Sequence, residues 1–177
     1  MDGARVPRLA ELFDLVEKSG NASVRFNIET KISPQAPEET PGPEPFALAL
    51  IAAIRKARME ARASIQSFDW RTLQVVEGEA PAIATVYLTG RRREGSQPRA
   101  VHAAGGRVWS PYHEAMDSVA LVEARALGLK VVPWTVNEPA EIERVLDLGV
   151  DGLITDYPDR ARGHIARRGL PLPLPLR

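Results

Sequence analysis

The sequence predicts an α/β fold in which parallel strands alternate with crossover helices. Leu127-Gly-Leu-Lys-Val-Val-Pro-Trp134 is followed 21 residues later by Leu148-Gly-Val-Asp-Gly-Leu-Ile-Thr155. Each is a Leu-Gly step and then an apolar strand, and strand–helix units at such a short period imply parallel pairing. Residues 24–31 alternate strictly, with Val24, Phe26, Ile28 and Thr30 on one face and Arg25, Asn27, Glu29 and Lys31 on the other. Polar residues also gather where strands finish, which is the ligand-binding rim of open doubly wound sheets and of (β/α)8 barrels alike. No Gly-x-Gly-x-x-Gly turn follows a strand, which disfavours a dinucleotide-binding sheet.

The elements follow in order. Leu9, Leu12, Phe13 and Val16 recur at helical spacing behind Pro7, with Gly20 as a stop. After the 24–31 strand, residues 34–45 are crowded with proline and read as a functional loop without regular structure. Ala47, Leu50, Ile51, Ile54 and Ala57 mark a second helix. Residues 63–68 read as a strand, 73–76 as a short helix and 83–88 as a strand. Residues 90–106 are polar and Gly-rich and read as loop, and 107–110 as a short strand. Ala115, Val119, Val122 and Ala126 predict a third helix stopped at Gly128. Between the two Leu-Gly strands lies a helix marked by Ile142, Val145 and Leu146, capped by Asn137 or Glu138 with Pro139 in its first turn. The chain reads as about six strand–helix units over 1–168, with an extended Pro-rich tail over 169–177.

Composition excludes several function classes. The chain has 177 residues, 44% apolar and 26% charged, the profile of a globular domain. Without Cys it has no disulfide, cysteine–zinc site, iron–sulfur cluster or thiol nucleophile. The 23 Lys+Arg balance 23 Asp+Glu, so no electrostatic footprint for nucleic acid exists, and the run Arg91-Arg92-Arg93 is too short to supply one. No apolar stretch is long enough to span a membrane, and no signal-peptide pattern is visible.

Few residues carry chemistry. Glu29 and Lys31 share a strand face that must look into a barrel mouth or cleft; they fit either a metal ligand beside an anion binder or a structural ion pair. Trp134 and Asn137 fit either a site or core packing and helix capping. The segment 66–70 fits either a site or a capped helix start, and Asp156 either a site or a turn. His102, His113 and His164 show no metal-ligand spacing, and no nucleophile elbow is present.

Four stretches taken together resemble the glycerophosphodiester phosphodiesterase family, in the family's order. They are Phe26-Asn-Ile-Glu-Thr-Lys31, Gln66-Ser-Phe-Asp-Trp-Arg-Thr-Leu73, Val132-Pro-Trp-Thr-Val-Asn137 and Gly149-Val-Asp-Gly-Leu-Ile-Thr-Asp-Tyr-Pro-Asp159. The resemblance implies a (β/α)8 TIM barrel that hydrolyses glycerophosphodiesters to glycerol 3-phosphate and an alcohol with Ca2+ or Mg2+. It implies Glu29 as a metal ligand, Lys31 as the phosphate partner, and Phe68 and Trp134 as the lining of the glycerol side. Ser67, Asn137 and Asp156 look like further rim positions. The family's early His-Arg, Glu-x-Asp and His-Asp motifs have no counterpart in this sequence. The expectation is therefore an incomplete barrel, lacking about two amino-terminal strand–helix units, with its 24–31 and 152–156 strands as open edges inviting self-association. The alternatives are a non-catalytic half-barrel that binds phosphodiesters or a partner protein, and another phosphate-handling (β/α)8 enzyme.

Overall fold

The computed structural model describes residues 3, 5–33, 35–91 and 95–172. Arg92 and Arg93 of the basic run, Pro34 and the tail from 173 onward lie outside the described residues. Five strands, β1 (Phe26–Glu29), β2 (Ala63–Ser67), β3 (Ala84–Thr89), β4 (Val108–Pro111) and β5 (Lys130–Val131), form one sheet in the order β1-β2-β3-β4-β5, every pair parallel. Among the described residues seven helices intervene or flank: α1 (Leu9–Lys18), α2 (Pro43–Lys56), α3 (Trp70–Glu79), α4 (Gln97–Ala103), α5 (Ser118–Ala126), α6 (Pro139–Leu148) and α7 (Pro158–Arg167). Parallel crossovers are right-handed, so a sheet whose strands follow one another without reversal keeps all its helices on one face. This winding has no switch point and is the winding of a barrel, not of a doubly wound sheet.

The parallel register sorts the side chains into two faces. Phe26, Ile65, Tyr87, Trp109 and Val131 point toward the helices and join the core with Leu50, Ile54, Leu73, Val76 and Val145. The opposite face carries Asn27 beside Ser64, then Glu29 beside Gln66 beside Val86. Here polar residues bind one another: Ser64 Oγ donates to Asn27 Oδ1 at 2.8 Å, and Asn27 Nδ2 donates to Gln66 Oε1 at 2.6 Å. The entry to β1 is held by Arg62, which donates to the carbonyls of Val24 (3.0 Å) and Asn21 (2.7 Å), and by the edge-to-face pair Phe13–Phe26.

Past β5 the chain continues to pair without forming a regular strand. Trp134 bridges Tyr112, and Asp151 N, Ile154 N and Val136 N donate to Val131 O, Pro133 O and Ile154 O. The 151–155 segment thus lies alongside 131–136, as a sixth unit would. Among the described residues, β1 has β2 as its one strand neighbour.

Four local expectations are corrected. The Pro-rich segment is not free of regular structure: Pro37–Glu39 forms a 3-10 turn, and α2 starts at Pro43, because proline in a first helical turn has no N–H to forfeit. The 90–106 loop contains α4, begun by Ser96, whose Oγ accepts from Arg99 N at 3.1 Å. In α5 the buried residues are Leu121 and Ala124, while Val119 and Val122 face solvent and Ala115 belongs to a preceding 3-10 turn. In α1 the buried residue is Phe13, and Leu12 is exposed. In α5 the apolar residues outnumber those needed to cover the sheet, so spacing alone selected the wrong stripe. Among the described residues, no helix is long and apolar enough to cross a membrane.

Candidate functional site

The carboxyl ends of the strands share one rim, and the structure places every sequence-predicted site residue there or just beneath it. Glu29 closes β1, half-buried, and Lys31 follows, exposed. Lys31 enters no salt bridge among the described residues. In β2 the alternation sends Ala63, Ile65 and Ser67 toward the core, so Phe68, one residue on, faces the rim and is 47% exposed.

Ser67 does not offer its hydroxyl to the rim. It is fully buried, donates to Thr30 O at 2.8 Å and accepts from Asp69 N at 3.1 Å. It ties the end of β1 to the turn that presents Phe68. Asp69 in turn caps α3, accepting from Arg71 N at 3.2 Å. The Arg71 guanidinium beside it, also hydrogen-bonded to the carboxylate, lowers its pKa.

Phe68 meets Trp134, which is 66 positions away in the chain. Their rings pack edge to face with centroids 5.3 Å apart. On a flat sheet β2 and β5 would stand about 14 Å apart, three strand spacings. The contact therefore needs both a curved sheet and side chains that lean across the mouth. Trp134 is fixed by its Nε1, which donates to Ser110 O at 3.0 Å, and the Trp134–Thr135 peptide is cis. Tyr112, just past β4, packs on the same indole at 5.4 Å, and the Arg91 guanidinium, just past β3, lies over the Tyr112 ring at 5.3 Å. The result is a continuous wall, Phe68–Trp134–Tyr112–Arg91, drawn from four strand ends.

Asn137 and Asp156 also come together. Asn137 Nδ2 donates to Asp156 Oδ2 at 2.8 Å, while its Oδ1 accepts from Asp156 N at 2.9 Å and Thr155 Oγ1 at 3.1 Å. Asn137 is not a helix cap: α6 begins after Glu138, whose side chain makes no cap bond. It locks the 155–157 turn to the end of the preceding segment.

His113 follows the rim residue Tyr112, with ring centroids 5.0 Å apart, while His102 and His164 lie on α4 and α7. His113 is buried, with Nδ1 3.2 Å from Glu141 Oε2; Arg144, hydrogen-bonded to the same carboxylate, lowers the Glu141 pKa, with His113 assisting. His164 pairs with Glu143 between α7 and α6, and His102 is exposed on α4. Among the described residues no group of three His, Cys, Asp or Glu side chains converges to hold a metal ion. Glu29 alone is one carboxylate, whereas Ca2+ takes six to eight oxygen ligands, so the described residues do not by themselves fit a divalent cation.

Sequence reading missed Tyr112 and Arg91 as parts of this surface, and it placed Asn27 on the polar face of its strand and Gln66 in a candidate segment without pairing the two. The signal for Tyr112 and Arg91 was their place just past a strand end. For Asn27 and Gln66 it was the register, which exists only once the strands pair.

Comparison with known proteins agrees with this arrangement. A sequence model of the Glycerophosphoryl diester phosphodiesterase family matches residues 1–160. The chain is 32% identical to a glycerophosphodiester phosphodiesterase of Bacillus subtilis, over 89% of this chain and 53% of that protein. It is 31% identical to one from Caldanaerobacter subterraneus, over 89% of this chain and 60% of that protein. The fold matches a crystal structure from Silicibacter pomeroyi, described as a glycerophosphoryl diester phosphodiesterase, with a TM-score of 0.85 at 38% identity, over 95% of this chain and 59% of that one. It also matches an Oleispira antarctica phosphodiesterase in complex with the product sn-glycerol-3-phosphate, with a TM-score of 0.73 at 19% identity, over 90% of this chain and 61% of that one. The chain thus spans a little over half the length of these relatives. A family match over most of the sequence, a close structural match, and a singly wound parallel sheet with its polar residues on the carboxyl rim converge: this chain belongs to the glycerophosphodiester phosphodiesterase family.

Proposed function

We propose that the chain forms the product-binding side of a glycerophosphodiester phosphodiesterase site. Lys31 attracts the phosphate, the Phe68–Trp134 pair receives the glycerol carbons, and Glu29 supplies one carboxylate toward a divalent cation, Ca2+ or Mg2+. The observation that carries this reading is the aromatic pair, half-exposed across the mouth, with an exposed cation two residues past Glu29 on the neighbouring strand. An apolar wall beside an ammonium suits a ligand with a carbon face and an anionic end. The Oleispira relative, bound to sn-glycerol-3-phosphate, supports that ligand class.

Hydrolysis asks for more than binding. Displacement at a phosphodiester needs a base for the nucleophile, an acid for the leaving alkoxide and a cation on the non-bridging oxygens. None of the three histidines reaches the rim as a free base, and one carboxylate does not hold a cation. A positioned acid or base contributes about 10²–10⁴-fold, so the isolated chain binds its ligand and turns it over negligibly. The residues that complete the catalysis, a histidine pair and a Glu-x-Asp ligand pair by family resemblance, are not in this sequence. In the presence of Ca2+ or Mg2+, release of glycerol 3-phosphate from glycerophosphocholine by this polypeptide is expected to match that of its Glu29→Ala variant. Metal-dependent release well above that variant overturns the proposal.

A further inference from the structure

Behind Phe68 lies a pocket of about 220 Å³, lined by Phe68, Trp70, Leu88, Thr89, Gly90, Ser96, Gln97 and Ala100. It sits between the ends of β2 and β3 and the start of α4. Phe68 is therefore shared: its ring meets Trp134 on the glycerol side and also walls this pocket. Pockets that hold a whole drug-sized ligand run from about 300 Å³ upward, so this one suits a part of a molecule.

The lining states which part. Among the described residues that line the pocket there is no charged side chain. Its polar groups are already engaged with one another: Thr89 Oγ1 donates to Gln97 Oε1 at 2.9 Å, Gln97 Nε2 to Gly90 O at 3.2 Å, and Trp70 Nε1 to Leu88 O at 3.1 Å. Ser96 Oγ is bonded to Glu123. A polyol entering here would give up its water hydrogen bonds and find few replacements, at a cost for each unsatisfied group. A compact alkyl or N-methylated ammonium group gives up little, and the rings of Phe68 and Trp70 attract a cation.

We propose that this pocket is the subsite for the alcohol half of the diester, and that it selects compact alkyl or N-methylated ammonium alcohols over polyols. The proposal rests on the phosphodiester reading of the rim, with Phe68 dividing glycerol from alcohol.

The test titrates the full chain, followed by its amide and indole NMR signals, with glycerophosphocholine, glycerophosphoinositol, glycerol 3-phosphate and choline alone. Glycerophosphocholine is expected to bind at least tenfold more tightly than glycerophosphoinositol, with shifts at the Trp70 indole and the Gly90 amide. Ala100→Trp, which fills the pocket from the exposed face of α4, is expected to weaken glycerophosphocholine at least tenfold more than it weakens glycerol 3-phosphate. Ala100→Leu provides the same comparison with a smaller intrusion if the tryptophan disturbs the fold. Equal weakening of the two ligands, or equal affinity for the choline and inositol diesters, overturns the subsite. Choline alone separates the two readings. Shifts at Trp70 that vanish in the Ala100 variants support the pocket even where wild-type protein fails to bind glycerol 3-phosphate, an outcome that overturns the rim reading only. Choline that leaves Trp70 and Gly90 unmoved overturns the pocket.

Discussion

Ser67 and Lys31, from two different family-like stretches, differ sharply in physical role. Ser67 is buried with both hydrogen-bonding partners on the backbone. Removing its hydroxyl strands a buried carbonyl and a neighbouring N–H, so Ser67→Ala is expected to cost about 1–3 kcal/mol, read as a lower urea midpoint. Its ligand affinity should fall only as far as Phe68 loses its position. Lys31 is exposed and holds up nothing, so Lys31→Ala should leave the urea midpoint unchanged. It should weaken glycerol 3-phosphate by about tenfold or more, the size of a hydrogen bond to a charged group, measured by titration calorimetry at low salt. A Lys31→Ala variant that binds as tightly as wild type removes the lysine from the proposed phosphate site.

At the scale of elements, the rim depends on how helices begin. Asp69 caps α3 directly after Phe68, and Asp117 caps α5 by accepting from Ala120 N at 2.8 Å. Loss of such a cap costs about 1 kcal/mol, so Asp69→Ala is expected to lower stability by that amount and to loosen the Phe68 turn, seen as faster amide exchange at 68–72. The α6 start is joined to β4 differently. Arg144 reaches the carbonyls of His113 (2.8 Å) and Met116 (3.3 Å) while bound to Glu141. Because Arg144 and His113 lower the Glu141 pKa in the folded state, its contribution to stability is fully present above the unfolded carboxylate range. That contribution is lost as pH falls through the depressed folded value. The difference in urea midpoint between wild type and Glu141→Gln should therefore shrink as pH is taken from 6 down to 3. A difference that stays constant over that range removes Glu141 ionisation from the account.

At the scale of the molecule, the sheet runs from β1 to β5 among the described residues. β1 shows an unpaired side among the described strands, and such edges favour pairing with another chain. Light scattering over a rising concentration series is expected to report dimers or larger species; a monomer with a sharp thermal transition speaks against edge pairing. Hydrogen exchange should be slowest in β2, β3 and β4, which have strand neighbours on both sides, and faster in β1 and 151–155. The apolar side chains of α1 that face outward, Leu12 and Leu15 with Val6 before them, add to the surface such an association would cover.

Local chemistry alone determined much of this protein. Strict alternation over 24–31 set the two faces of β1, and the repeated Leu-Gly strand announced parallel pairing. The four motifs identified the family, because backbone preference and side-chain period are properties of short segments. Where an apolar stripe was ambiguous, as at Val119 and Val122, or where proline opened a helix, as at Pro43, the sequence misled, because burial and capping depend on neighbours absent from the segment. The site itself was half legible. Glu29, Lys31, Phe68 and Trp134 were named from their motifs, but their relation was not. Only the curvature of the sheet brings the Phe68 and Trp134 rings within 5.3 Å, and only the packing of α4 under the end of β3 leaves a pocket behind Phe68. Distances between residues far apart in the chain are set by strand register and helix packing, and those are decided by the whole core at once.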